Sequence, residues 1–123
     1  MPNNIITIYG CDIEENEQFV ELSERYGVVP IATVANLDEV TAPLATGCQC
    51  ISVSSTALVN ESILLKLKKF GVEYICTRGI CRYIDLNAAK RLGITVENIS
   101  DSISNVIETT LLNCQNFTRN ALA

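Results

Sequence analysis

Four glycines divide this chain at near-regular intervals, and that division constrains the fold more than any other feature. The stretches "YGV", "TGC", "FGV" and "LGI" place Gly27, Gly47, Gly71 and Gly93 at spacings of 20, 24 and 22 residues, each between a helix-like and an apolar strand-like run. A glycine just past a helix takes the left-handed conformation that side chains resist, so four of them predict four helix ends, each feeding a strand. The strands are read at residues 5–10 (IITIYG), 28–34 (VVPIATV), 48–54 (CQCISVS), 73–78 (EYICTR) and 94–99 (ITVENI). Several are continuously apolar without strict alternation, as in a parallel sheet covered on both faces. Pro30 cannot donate to a ladder, which assigns the second strand to an edge.

Between the strands lie amphipathic stretches. Phe19, Leu22 and Tyr26 share one helical face, and Ile63, Leu67 and Phe70 another. Asp12 with Glu15, and Asn36 with Glu39, have capping-box spacing, in which two side chains satisfy the free amides of a helix start. Asn60 and Asp85 read as simpler caps. In the last element Ile103, Val106, Ile107, Leu111, Cys114 and Phe117 recur at helical spacing, a stripe that docks on the sheet as core. Right-handed crossovers put helices on both sides of such a sheet. The expected architecture is therefore a flavodoxin-like three-layer α/β/α sandwich around a five-stranded, mostly parallel sheet. Residues 1–123 form one domain in this reading, with 101–120 as its terminal helix.

Charge and cysteine usage narrow the function. A net charge of -5 and the lack of a basic run exclude broad affinity for nucleic acid or anionic lipid. The amino terminus has no basic region followed by a long apolar stretch, and no segment approaches the roughly 20 apolar residues that span a bilayer, so a cytoplasmic address is expected. Six cysteines would form disulfides in a secreted chain, but here they fall mostly inside apolar runs and are read as reduced, buried thiols. Cys48 and Cys50 are expected on one face of the third strand, packed as small apolar residues. With no histidine and no Cys-x-x-Cys pair, a zinc site is disfavoured. A redox role for Cys76 and Cys81 would need a lowered thiol pKa.

In doubly wound folds ligands gather at the carboxyl ends of strands, which nominates residues 10–12, 54–56, 78–83 and 100–102. The third strand ends in "SVSST" without the aspartate of a phosphorelay, and "YGCDIEEN" after the first offers carboxylates where a flavin phosphate loop needs hydroxyls and glycines. Neither G-x-G-x-x-G nor G-x-x-x-x-G-K-[ST] occurs. Without histidine, Ser-His-Asp and Cys-His chemistry are excluded as well.

Residues 73–99, "EYICTRGICRYIDLNAAKRLGITVENI", resemble the substrate domain of the D-isomer-specific 2-hydroxyacid dehydrogenases, especially D-lactate dehydrogenases and the related vancomycin-resistance enzymes. That family's run is T-R-S-x-G-x-x-x-I-D followed by A-A-x-x-x-G-I-x-V-x-N. Thr77, Arg78, Ile84, Asp85, Ala88, Ala89, Gly93, Ile94, Val96 and Asn98 fall into it, and the likeness extends over roughly residues 4–99.

The resemblance implies that the loop after Arg78 offers backbone N–H groups to a substrate carboxylate, with Arg78 supporting the loop. Only Gly79, Ile80, Cys81, Arg82 and Tyr83 separate Arg78 from Ile84, one residue fewer than in the family. Where the family has Tyr-Ser-Pro after the fifth strand, this chain has Asp101, Ser102 and Ile103, and an aspartate repels a carboxylate. The implied site is vestigial: Arg78, Gly79, Ile80 and Cys81, with Ser54, Ser55 and Asp101, and with no catalytic, cofactor-binding or metal-ligating residue. The full-length family uses NAD, held in a Rossmann domain that also carries its acid-base residues. That domain has no counterpart here, and the tail around Asn113, Cys114, Phe117 and Arg119 resembles either the family's returning carboxyl-terminal helix or the helix that follows Tyr-Ser-Pro. The expected function is a substrate-domain homologue without hydride transfer by itself, associating as a homodimer. The alternatives are a small-carboxylate-binding or regulatory module, or a partial oxidoreductase completed by a separate NAD-binding partner.

Overall fold

The structure, a computed structural model, describes residues 5–100 and 105–122. Strand β1 (Ile5–Ile8) leads to helix α1 (Ile13–Tyr26), then β2 (Val29–Ala32) and β3 (Cys50–Ser54). Helix α2 (Glu61–Phe70), β4 (Tyr74–Arg78), α3 (Leu86–Arg91), β5 (Thr95–Ile99) and α4 (Val106–Leu122) follow. The strand order is β2-β1-β3-β4-β5 and every pairing is parallel, the flavodoxin-like order. Pro30 lies on the edge strand β2, as its missing N–H requires.

The helix starts follow from side-chain chemistry. Asp12 and Glu15 form the expected capping box on α1, Asn60 accepts from the Ile63 amide at 3.0 Å, and Asp85 accepts from Ala88 at 3.0 Å. Gly27 and Gly71 close α1 and α2 in the left-handed conformation.

Two apolar layers sandwich the sheet. On one face α2 and α3 bury Ile63, Leu64, Leu67, Ala88 and Ala89 against Ile51, Val53 and Ile75. On the other, Phe19 of α1 and Ile107, Leu111 and Cys114 of α4 cover Ile6, Ile8, Cys50, Tyr74 and Cys76. Burying each large aliphatic side chain contributes about 1.5–3 kcal/mol, so both faces need their helices. Among the described residues no helix is long and apolar enough to cross a membrane.

Three expectations need correction. The Asn36–Glu39 capping box does not form, because residues 36–41 make a tight turn in which the Asp38 carboxylate accepts the Val40 and Thr41 amides, both at 2.8 Å. The helix expected before Gly47 is reduced to a 3-10 turn at Ala42–Ala45, with Pro43 in it. The Tyr9 hydroxyl pins this crossing by donating to the Thr41 carbonyl at 2.9 Å, and Thr7 donates to Leu44 at 2.9 Å. Cys48 and Cys50 also face opposite layers: β3 starts at Cys50, and the bend at Gln49 breaks the alternation that would have placed both thiols together. All six cysteines are nevertheless buried and unpaired by disulfides.

Candidate functional site

At the carboxyl end of β4 the Arg78 guanidinium turns inward. Its Nε donates to Glu15 Oε2 at 2.8 Å, Nη1 to Ser52 Oγ at 2.7 Å, and Nη2 to the carbonyls of Tyr9 at 2.8 Å and Gly10 at 3.0 Å. The cation also sits 5.8 Å from the centre of the Phe19 ring. Arg78 therefore staples the start of α1 to the ends of β1 and β3, and its donors point away from any ligand at the loop.

The loop that follows, Gly79–Cys81, is held on both sides. The Gly79 amide donates to the Ile99 carbonyl at 2.9 Å, and the Cys81 amide to Asn98 Oδ1 at 3.1 Å. Gly79 has φ 91°, a conformation that suits glycine and turns the chain where the family run has a small polar residue. Of the three loop amides, that of Ile80 is the one no protein group takes among the described residues. The Ile80 side chain is exposed, and Leu58 and Tyr83, also exposed, line a shallow cavity with Arg82 and Asp85.

Ser54 and Ser55 leave β3 beside this loop, since Ser54 pairs in register with Arg78. Ser54 Oγ lies 3.0 Å from Thr56 Oγ1 and 3.5 Å from Asn36 Oδ1. Gly10 closes the same crevice so tightly that a Cβ there would come within 2.7 Å of Asn36 Oδ1. The structure thus brings Ser54, Ser55 and Gly79–Cys81 to one strand-end surface, with Arg78 beneath it. Asp101, Ser102 and Ile103 lie outside the described residues.

Thiol acidity is set by burial and by one thiol pair, in which a hydrogen bond from Cys114 lowers Cys50. Burial pushes Cys76 up to about 11 and also raises Cys11 and Cys48. Cys114 is driven well up by its hydrogen bond with Cys50 and by burial, and this pair lies at the opposite, amino-terminal end of β3. Among the described residues no three His, Cys, Asp or Glu side chains gather as a metal site requires. The α1 amino terminus, where a dinucleotide pyrophosphate would sit, is occupied by the Asp12 and Glu15 carboxylates, so the residues after β1 do not fit that group.

Asn98 is the site residue that pattern reading undervalued: it appeared as one match in a run, whereas its carbonyl oxygen organises the loop. The signal was present in register, because Thr77 and Asn98 pair across β4 and β5 and face the same layer.

Residues 7–110 match the family described as D-isomer specific 2-hydroxyacid dehydrogenase, catalytic domain. A D-specific alpha-keto acid dehydrogenase of Enterococcus faecium is 47% identical over 112 residues, covering 89% of this chain and 35% of the relative. An aromatic 2-oxoacid reductase of Clostridium sporogenes is 33% identical over 96 residues, covering 76% and 29% respectively. The apo-structure of D-lactate dehydrogenase from Escherichia coli superposes with a TM-score of 0.73 at 28% identity, over 77% of this chain and 31% of that one. The chain spans about a third of the length of the curated relatives it matches.

Proposed function

Since this chain belongs to the D-isomer specific 2-hydroxyacid dehydrogenase family, we propose that it is a substrate-type domain that binds a small 2-oxo or 2-hydroxy acid weakly and transfers no hydride by itself. The observation that carries this reading is the Ile80 amide, left without a protein acceptor among the described residues in a loop whose neighbouring amides are both engaged. A carboxylate accepts readily from such a strand-end amide, and one N–H rather than several gives millimolar rather than micromolar affinity. Two features support the lack of turnover: the chain has no histidine to carry a proton, and its first helix start is closed by carboxylates instead of open to a pyrophosphate. NAD is accordingly assigned to another polypeptide segment, and the domain to residues 1–123.

The test is an amide-shift titration with pyruvate and 4-methyl-2-oxopentanoate, run beside an NADH oxidation assay on the same chain. Saturable shifts at residues 79–81 without NADH oxidation are expected. NADH-dependent reduction by the pure chain would refute the second half of the reading, and flat titrations the first.

A second reading, completion by a separate NAD-binding polypeptide, accords with relatives of which this chain spans about a third. The exposed Ile13, Val34, Leu58, Ile80 and Tyr83 supply apolar surface for such a partner or for a homodimer in the cytoplasm. Sedimentation of the chain alone tests the homodimer, and recovery of turnover on mixing with a relative's NAD-binding half tests the partner.

A further inference from the structure

We propose that Asn98 and Cys81 form a latch that fixes the loop Gly79–Cys81 and docks it on the turn after β3, making both of them positioning residues for the carboxylate site. The ligand side of this inference rests on the reading above; the latch itself rests on the hydrogen bonds.

The geometry begins with strand register. Thr77 and Asn98 are paired across β4 and β5, which sets the Asn98 side chain beside the first turn of the loop. Asn98 Oδ1 has two lone pairs and both are used, by the Cys81 amide at 3.1 Å and the Thr77 hydroxyl at 2.7 Å. Thr77 Oγ1 lies closer still to the Gly79 carbonyl, at 2.5 Å, so its single proton is divided between the loop's entry and Asn98. The Cys81 amide, which can only donate, is what demands an acceptor at position 98.

Cys81 closes the other side. Its thiol donates to the Ala57 carbonyl at 3.2 Å, and its side chain is 7% exposed within the layer that holds Ala57, Val59 and Ile84. One residue therefore links β5, through its amide, to the segment after β3, through its sulfur. Just beyond it, Val59 and Ile84 form a parallel bridge, with the Val59 amide donating to Tyr83 and the Asp85 amide to Val59, both at 2.9 Å. The two loops that carry Ser54, Ser55 and Ile80 are thereby stitched into one surface. A cysteine that looks incidental in sequence is a tie between both halves of the site.

Asn98 and Cys81 can be tested separately from ligand charge. Hydrogen exchange and pyruvate titration of 15N-labelled chain are compared for the unsubstituted protein, Asn98→Ala, Asn98→Asp, Cys81→Ala and Cys81→Ser, with urea stability measured for each. Asn98→Ala is expected to speed exchange of the position 81 amide about tenfold and to raise the pyruvate midpoint at Ile80 about three- to tenfold, the equivalent of one lost hydrogen bond. Cys81→Ala should raise the same midpoint, and Cys81→Ser, which keeps a donor for Ala57, should restore it. Asn98→Asp keeps the acceptor, so the amide stays protected while the added negative charge weakens pyruvate binding. Unchanged exchange at position 81 in Asn98→Ala overturns the latch. A fall in urea stability with the Ile80 midpoint unmoved overturns the positioning role. If the unsubstituted chain gives no saturable shift, the carboxylate reading fails, and the exchange data judge the latch independently.

Discussion

Replacing Arg78 by methionine keeps the length and apolar stem of the side chain and removes every donor. Four acceptors then lose their partner: Glu15 Oε2, Ser52 Oγ and the carbonyls of Tyr9 and Gly10. The Arg78 side chain is 3% exposed and that of Glu15 is 27% exposed, so the stranded carboxylate recovers some hydration while the Tyr9 carbonyl and Ser52 do not. An unsatisfied buried acceptor costs about 1–3 kcal/mol, and breaking one side of a buried ion pair about 3–5 kcal/mol. These costs overlap because they share one cation, so the expected loss is about 4 kcal/mol. With a urea slope of about 2 kcal/mol/M for a chain this size, the unfolding midpoint should fall by about 2 M, followed by far-ultraviolet circular dichroism. Arg78→Lys keeps the charge but has no planar fork to reach all four acceptors, and should lose about half as much. A midpoint shift under about 0.5 M for Arg78→Met would refute the assignment of Arg78 as a structural staple, since a residue whose donors served a ligand would be removed at little cost to the free protein.

Leu111→Ala, at a fully buried position where α4 meets the sheet, should cost about 3 kcal/mol and lower the thermal midpoint by about 10 °C; a drop of only a degree or two would mean that α4 is not held by this stripe. Stability should also fall in alkali. Burial raises the Cys76 thiol from 9.0 to about 11, so the folded state binds its proton more tightly than the unfolded chain does. Its contribution is complete below the unfolded value and is lost as pH rises through about 9 to 11, amounting to about 2–3 kcal/mol. Cys76→Ala should flatten the stability profile in that window, and identical slopes in the two proteins would contradict the assignment.

The parts of the fold that were legible in sequence are those set by local stereochemistry. Gly27 and Gly71 mark helix ends because the left-handed cap is a property of one residue, and Asp12 with Glu15 is read correctly because both partners lie within one turn. Pro30 declares an edge because a missing N–H has the same consequence in any sheet. The misreadings arise where a longer-range contact outcompetes the local pattern. Asn36 and Glu39 have capping-box spacing, but Glu39 instead accepts from Ser62 and the Asn36 side-chain oxygen faces Ser54 Oγ at 3.5 Å, so partners from other elements take both side chains. The alternation at Cys48 and Cys50 fails because the chain bends at Gln49 between them, which periodicity does not register. For the site, the identity of the loop is legible through its run of residues. The engagement of its amides depends on Asn98 and Ile99 across the sheet, and the inward aim of Arg78 depends on Glu15, 63 residues away. Neither distance is encoded in spacing.

The placement of α4 has a consequence for how this protein is made. Its ties run far back along the chain: Tyr26 donates to Glu108 at 2.8 Å, Gln115 donates to the Tyr26 carbonyl at 2.7 Å, and Phe117 stacks on Tyr74 at 4.9 Å. On the ribosome, the strands and the α2–α3 side emerge first, and half of the opposite apolar face waits for residues 106–122 to clear the exit tunnel. At about 5–20 residues per second that wait lasts on the order of one to four seconds for the helix alone. During it the nascent chain offers Cys50, Tyr74 and Cys76 to whatever chaperone scans the tunnel mouth.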